Sequence, residues 1–163
     1  MDEHRDPDQG RFRDPLIREL YEFAAEDIYV VCPRCQRRAV DAPRPTEGKW
    51  VPSWPRRLAC SACGHAAAWD ASRNSSVWGG PVDPFFRLPL WLTARCCGGH
   101  TLWAFNGRHL DLLEGYVAAK LRERGRGPGG MTVVARLPTW LKSAKHREEI
   151  LRVIGRLRAS LEG

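Results

Sequence analysis

Four cysteines stand in two pairs of identical spacing, Cys32-Pro-Arg-Cys35 and Cys60-Ser-Ala-Cys63. Two intervening residues allow a tight turn whose backbone amides hydrogen-bond the sulfurs, and two such turns can surround one ion with four thiolates. Zinc is the metal that this spacing favours, and a closed shell of four sulfurs leaves no position for water or a substrate. The motif therefore predicts one structural Zn²⁺ ion bound by Cys32, Cys35, Cys60 and Cys63.

Two other roles for these cysteines are less consistent with the sequence. A redox dithiol of the thioredoxin type requires a helix after the pair within a βαβ pattern, whereas strand-like segments flank both pairs. Disulfides are typical of exported proteins, but residues 1–14 are charged and lack the apolar core of a signal peptide. We therefore expect reduced, metal-binding thiolates in a cytoplasmic protein, and no stretch approaches the ~20 apolar residues that cross a membrane.

A second group with chemical potential lies in a predicted hairpin. Gly98-Gly99 separates two strand-like runs, residues 88–97 and 100–105, and is suited to a two-residue turn. In that register Cys97 faces His100, with their Cβ atoms about 5 Å apart. The opposite face would carry Leu90, Leu92, Ala94 and Cys96 together with Trp103 and Phe105.

The Cys97 and His100 pair admits three interpretations. A second metal ion would need a further ligand such as His65 or His109. A Cys-His nucleophile would need an orienting partner and an oxyanion donor, and the sequence indicates neither, which argues against an enzyme. In the third interpretation Cys96 belongs to the core and the Cys97 and His100 pair is incidental.

The chain is basic, with a net charge of +7 at pH 7. Such a charge raises affinity for polyanions without specifying one. Arginine and lysine alternate with tryptophan around the cysteine turns, a mixture that can contact phosphates and stack on bases; these candidates are Arg37, Arg38, Lys49, Trp50, Trp54, Arg56 and Arg57. The alternative is that the tryptophans pack the core and the arginines are solvated.

A second basic set falls on one side of the predicted last helix. Its members are Lys142, Lys145, Arg152 and Arg156. They could meet a phosphate backbone, an acidic protein surface or only water, and a solvated face is the usual outcome for such a set.

The elements that must position these residues indicate an α+β fold, in which a small zinc-ribbon β module packs with a β-hairpin and two to three α-helices. At 163 residues we expect one compact domain with appendages. Its predicted parts are a disordered N-terminus (1–13), a short helix (14–27), the ribbon (28–70), a connector with the hairpin and a helix (71–124), a flexible linker (125–130), and a C-terminal strand and helix (131–163).

Helix caps mark the predicted helices. Asp14 is placed to cap the first helix and Asn106 the second, whose apolar stripe is Leu110, Leu113, Val117 and Leu121. Thr139 is placed to cap one continuous final helix. Strands are predicted at residues 28–31, 38–40 and 65–69, where β-branched, aromatic and alanine residues adjoin the cysteine turns.

Through its two Cys-x-x-Cys turns, the second followed by Gly64, the chain resembles the zinc-ribbon superfamily, including the ribbons of transcription initiation factors. This resemblance implies a ribbon fold and the four cysteine ligands, and it supplies no catalytic residue. The rest of the chain resembles bacterial zinc-ribbon-containing proteins that have no established activity, through the segments 80–84, 88–92, 96–98, 137–138 and 142–145. The loop between the two turns is long and proline-rich here, so contacts made by other ribbon loops do not transfer.

Three functional hypotheses follow. The first is a zinc-ribbon accessory protein that binds nucleic acid, or a nucleic-acid machine, through the basic, Trp-bearing loop between the cysteine pairs. The second is a protein-interaction adaptor stabilised by structural zinc, without nucleic-acid contact. The third is an enzyme that depends on Cys97 and His100.

Overall fold

A computed structural model of the protein describes residues 11–12, 14–119, 121–122, 126–127 and 130–162. These residues form helices and mostly antiparallel sheets, which confirms the predicted α+β class. The strands are β1 Arg11–Phe12, β2 Ile28–Val31, β3 Arg38–Pro43, β4 Arg56–Ala59, β5 Ala66–Trp69, β6 Leu92–Cys96, β7 His100–Ala104, β8 Leu121–Arg122, β9 Arg126–Gly127 and β10 Gly130–Met131. The α-helices are α1 Gly107–Ala118, α2 Thr139–Lys142 and α3 Arg147–Ala159, and 3-10 helices span Leu20–Ala25, Val51–Ser53 and Ala144–His146.

The N-terminal segment differs from its prediction. Strand β1 pairs in parallel with β8, and residues 1–10 and 13 of the segment predicted to be disordered lie outside the described residues. The predicted helix over 14–27 is a 3-10 helix that begins only at Leu20. Asp14 caps no helix, because its Oδ1 accepts a hydrogen bond from the amide of Leu16, which has a positive φ of 59°. This local Asx-type turn competes with helix formation.

Strands β2 to β5 form a four-stranded antiparallel sheet, in the order β2-β3-β4-β5, within the segment predicted to be the ribbon. Side chains alternate across the pleat, so one face is buried and the other is open. The buried face carries Ile28, Val30, Ala39, Leu58 and Trp69. This inner face packs against Phe23 and Phe85, with the rings of Trp69 and Phe85 4.9 Å apart.

A charged cluster lies within the same inner face. Arg56 is 1% exposed, and its Nε donates to Oδ1 of Asp41 over 2.7 Å. Its Nη1 donates to the carbonyl of Ala24 at 2.7 Å, and its guanidinium lies 4.3 Å from the ring centre of Phe85. A second carboxylate, Asp83, is also fully buried and interacts with Asp41. The positive charge of Arg56 therefore acts on both buried carboxyl groups.

The segment between β5 and β6 joins the ribbon to the hairpin. The amide of Val31 donates to the carbonyl of Pro89, and the amide of Trp91 donates to the carbonyl of Tyr29. Residues 89–91 therefore pair with β2 along the edge of the sheet. Trp78 packs edge-on against Phe85 and Phe105. The connector is therefore packed against the core.

The hairpin β6–β7 has a different register from the predicted one. Cys96, not Cys97, pairs with His100, and the turn contains three residues, Cys97, Gly98 and Gly99, all with positive φ. Leu92, Ala94 and Cys96 therefore share a face with Leu102 and Ala104, while Trp103 pairs with Thr93 on the other face. The predicted two-residue turn was wrong because Cys97 adopts the left-handed conformation expected of glycine.

Helix α1 begins as predicted. The Oδ1 of Asn106 accepts from the amide of His109 at 3.0 Å, and its Nδ2 donates to the carbonyls of Phe23 and Asp27. Asn106 thus caps α1 and ties it to the N-terminal segment. The helix buries Leu110, Leu113 and Val117, but it ends at Ala118, so Leu121 of the predicted stripe lies in β8 instead.

The C-terminal segment is more interrupted than predicted. Strands β9 and β10 pair with each other within the proposed flexible linker, whose residues 125, 128 and 129 lie outside the described residues. The final helix predicted from Thr139 is instead α2, a 3-10 turn and α3, because Ser143 has an extended backbone and its Oγ accepts from the amide of Lys145. Thr139 is the first residue of α2 and not its cap, which is Pro138. Helix α3 packs against α1 and β6 and buries Ile150 and Ile154.

Candidate metal centre

The first cysteine turn follows β2 directly. The amide of Cys32 donates to the carbonyl of Arg37 at 2.8 Å, and the amide of Gln36 donates to the carbonyl of Cys32 at 2.9 Å. Gln36 has a positive φ of 67°, which turns the chain back into β3. These bonds fix the direction of both cysteine side chains in the turn.

The second turn repeats this geometry between β4 and β5. The amide of Cys60 donates to the carbonyl of His65 at 2.9 Å, and the amide of Gly64 donates to the carbonyl of Cys60 at 2.8 Å. Gly64 takes the positive φ, 78°, that Gln36 takes in the first turn. Antiparallel pairing of β3 with β4 then places the two turns at the same end of the sheet.

The four sulfurs meet at that end. Cys32 Sγ lies 3.7 Å from Cys63 Sγ, and Cys35 Sγ lies 3.5 Å from Cys60 Sγ. All four sulfurs lie within 4.8 Å of one another. A tetrahedral ion with metal–sulfur bonds of about 2.3 Å requires sulfur–sulfur separations of about 3.8 Å. The cluster therefore fits a four-sulfur structural metal site.

The electrostatics of the cluster favour a cation. Burial opposes ionisation of Cys32, but amide hydrogen bonds from Cys35 and Arg34 outweigh it and lower its pKa to about 7. For Cys35 the amide of Arg37 favours the thiolate, yet burial and hydrogen bonding to the neighbouring thiols outweigh that bond and raise its pKa to about 12. Ionisation of Cys32 is thus favoured and ionisation of Cys35 is opposed, and a bound divalent cation stabilises the thiolate form of a cysteine ligand.

The predicted Cys97 and His100 pair does not form. The His100 ring stacks on Trp140, with ring centres 4.9 Å apart and planes 6° from parallel. Cys97 instead lies beside His146 and Glu149, and its amide donates to Glu149 Oε1 at 2.9 Å. Burial, Cys96 and Glu149 raise the pKa of the Cys97 thiol to about 12. The hairpin thus lacks the thiol–imidazole pair on which the enzyme hypothesis rested.

The basic candidates divide by exposure. Arg56 is wrongly placed among the surface candidates, because it is buried against Asp41. Arg38 and Lys142 are half-buried and donate to the carbonyls of Ser160 and Ala135. The exposed members are Arg37, Lys49, Arg57, Lys145, Arg152 and Arg156. Charge alone could not distinguish a solvated arginine from one that completes the core.

The two tryptophans of the ribbon loop also differ. Trp50 is 61% exposed, with one edge against Tyr21 at 5.5 Å. Trp54 is half-buried and its Nε1 donates to the carbonyl of Lys49 at 3.0 Å, which holds the Lys49-Trp50 turn in place. A cleft of about 540 Å³ opens beside Trp50, lined by Thr46, Lys49, Trp50, Ser53, Pro55, Asp70, Ala71 and Ser72.

The fold and the site together describe an α+β protein with a four-cysteine cluster compatible with a zinc ribbon. No protein-family model, curated protein or solved structure matches the chain. Among the helices described, none is long and apolar enough to span a bilayer.

Proposed function

We propose that this protein is a zinc-ribbon accessory protein that binds unpaired nucleic acid through the loop between its two cysteine turns. The ion is Zn²⁺, and its role is structural, because four sulfurs close its coordination shell. The cysteine turns fix the positions of the strands that they join. The pairing of β3 with β4 then brings the two ends of the loop, residues 43 and 56, next to each other.

The exposed side chain of Trp50 carries the proposal. A tryptophan that is 61% exposed beside a lysine offers a stacking surface for a base and a cation for the adjoining phosphate. The hydrogen bond from Trp54 to the carbonyl of Lys49 fixes the backbone at Lys49 and Trp50 before binding, so binding loses little conformational entropy there. Arg57, exposed on β4, adds a cation on the outer face of the sheet.

The cleft beside Trp50 suits a base or a sugar more than a phosphate. The amide of Ser72 hydrogen-bonds Asp70 and lowers the pKa of that carboxyl, which is therefore ionised at neutral pH. A carboxylate repels phosphate but accepts hydrogen bonds from base amino groups and sugar hydroxyls. In this proposal phosphates contact Lys49 and Arg57, and a stacked nucleotide reaches Asp70.

Anisotropy of a labelled single-stranded oligonucleotide tests the proposal. Trp50→Ala should weaken binding by about 1–3 kcal/mol, which is roughly 5- to 150-fold, whereas Trp50→Phe should retain most of the affinity. The logarithm of affinity should fall with the logarithm of salt concentration, and Arg57→Gln should reduce that slope by about 0.7. Arg95→Gln, another exposed strand arginine, is the matched control and should leave the slope unchanged.

Absent or salt-independent oligonucleotide binding would overturn this function and favour the second candidate, a protein-interaction adaptor. The observation that favours an adaptor is the outer face of the sheet, where Val40, Ala59 and Ala66 form one cross-strand row of small apolar side chains. Ala66→Arg should then abolish a nuclease-resistant protein complex without releasing zinc.

A further inference from the structure

A second cluster of metal-binding side chains lies where the hairpin turn meets the start of α3. It combines the thiol of Cys97, the imidazole of His146 and the carboxylate of Glu149, one ligand atom of each lying within 4.8 Å of the others. We propose that these three residues form a second divalent-metal site, separate from the four-cysteine cluster, whose ligand types suit Zn²⁺ rather than Mg²⁺ or Ca²⁺.

Backbone geometry brings the three ligands together. Cys97 takes a positive φ of 59° in the hairpin turn, a left-handed conformation that non-glycine residues rarely adopt. Its amide then donates to Glu149 Oε1 over 2.9 Å, which orients one oxygen of the carboxylate and leaves the other for an ion. The turn and the helix are thus held together at the point where the thiol lies.

Rigid elements support the helix side of the site. His146 ends the 3-10 turn Ala144–His146, where its amide donates to the carbonyl of Ser143. Glu149 lies in the first turn of α3, next to the fully buried Ile150. Ligands on such packed elements keep their relative positions better than ligands on a long loop.

The ligand set defines the metal class. A thiolate, an imidazole and a carboxylate are the three ligand types that Zn²⁺ accepts, whereas Mg²⁺ and Ca²⁺ prefer oxygen alone. Three protein ligands leave one position of a tetrahedral ion open. Cys97 is buried, His146 is half-buried and Glu149 is exposed, so that position faces solvent. Unlike the ribbon ion, this ion would carry water or another exchangeable ligand.

Zinc content per chain tests the site without assuming any activity. After dialysis against zinc-containing and then zinc-free buffer, the native chain should retain two ions. Glu149→Gln keeps the oxygen that accepts from Cys97 but removes the charged ligand, so it should retain one. His146→Ala should also retain one, while the matched controls Glu148→Gln and His100→Ala should retain two.

Cobalt substitution separates the two sites by their thiolates, because sulfur-to-cobalt charge-transfer absorption grows with the number of bound sulfurs. Cys97→Ala should remove the contribution of one sulfur and one ion, and Cys96→Ala should remove neither. If Cys97→Ala does not fold, the zinc content of Glu149→Gln tests the second site instead. One zinc in the native chain, or two in both Glu149→Gln and His146→Ala, would overturn the proposal.

Discussion

The buried cluster of Asp41, Arg56 and Asp83 predicts an unusual dependence of stability on pH. Arg56 forms an ion pair with Asp41, and its charge also acts on Asp83; among the described residues, the Oδ2 atoms of both carboxyl groups are buried without a hydrogen-bond donor. Burial first, and then the charge of Asp83, raise the pKa of Asp41 to about 8, despite the opposing effect of Arg56. A proton shared by the two carboxyl groups satisfies this geometry.

The sign and size of the effect follow from proton binding. Asp41 has an ordinary pKa of 3.8, so at intermediate pH the native protein holds a proton that the unfolded chain has released. The stabilisation is complete below about pH 4 and is lost as the pH rises through about 8. One proton corresponds to about 1.4 kcal/mol per pH unit, so the free energy of unfolding should fall by roughly 2 kcal/mol between about pH 6.5 and about pH 8.

Asp83→Asn should remove most of this slope. Asparagine has the same shape, its Oδ1 can still accept from the amide of Phe85, and its amide can donate to Asp41 in place of the shared proton. Asp41 can then ionise against Arg56 alone. We expect the variant to be about 1–2 kcal/mol more stable than the native chain at about pH 8 and of similar stability near pH 6.

Urea unfolding of zinc-loaded protein at several pH values measures this difference. The ribbon cysteines are unchanged in the variant, so their contribution cancels between the two proteins. Asp70→Asn is the control, because Asp70 is exposed and its pKa is lowered, so it does not titrate in this range. If Asp83→Asn and the native chain show equal slopes, the shared proton is refuted.

Three further predictions concern the core and the metal. Arg56→Met should lower the free energy of unfolding by about 3–5 kcal/mol, because it leaves a buried carboxylate without its cation. Adding Asp41→Leu to that variant should recover part of the loss in the same urea titration. Burial lowers the pKa of His109 to about 3, so its neutral form stabilises the fold above about pH 6.5 and this contribution is lost as the pH falls towards 3. His109→Phe should therefore flatten the acid side of the stability profile, and an unchanged profile would contradict that cause. Chelation of zinc should unfold strands β2 to β5, as followed by hydrogen exchange of Val30 and Leu58, and continued protection would contradict a structural role for the ion.

The sequence allowed the four-cysteine cluster to be predicted because each turn is local. Spacing within Cys32–Cys35 and Cys60–Cys63 determines the turn, and Gly64 marks the position that needs a positive φ. The Asn106 cap and the apolar face of α1 were predictable for the same reason, since both depend on residues within a few positions.

The remaining features depend on contacts between distant residues. From the sequence, Arg56 is predicted to be a surface cation, because only the fold places Asp41 and Asp83 near it. The hairpin register could not be read from Gly98-Gly99, because Cys97 also takes a positive φ. Glu149 and His146 join Cys97 only through the packing of α3 on β6, and no local pattern indicates that meeting. The one sequence signal was the presence of histidine and glutamate three residues apart at the start of a helix.

Zinc K-edge X-ray absorption of the Cys97→Ala variant tests the central claim most directly, because the variant should retain only the ribbon ion. The account predicts one zinc per chain surrounded by four sulfurs at about 2.3 Å. A shell containing nitrogen or oxygen, or protein that folds without zinc, would contradict a closed structural site formed by Cys32, Cys35, Cys60 and Cys63.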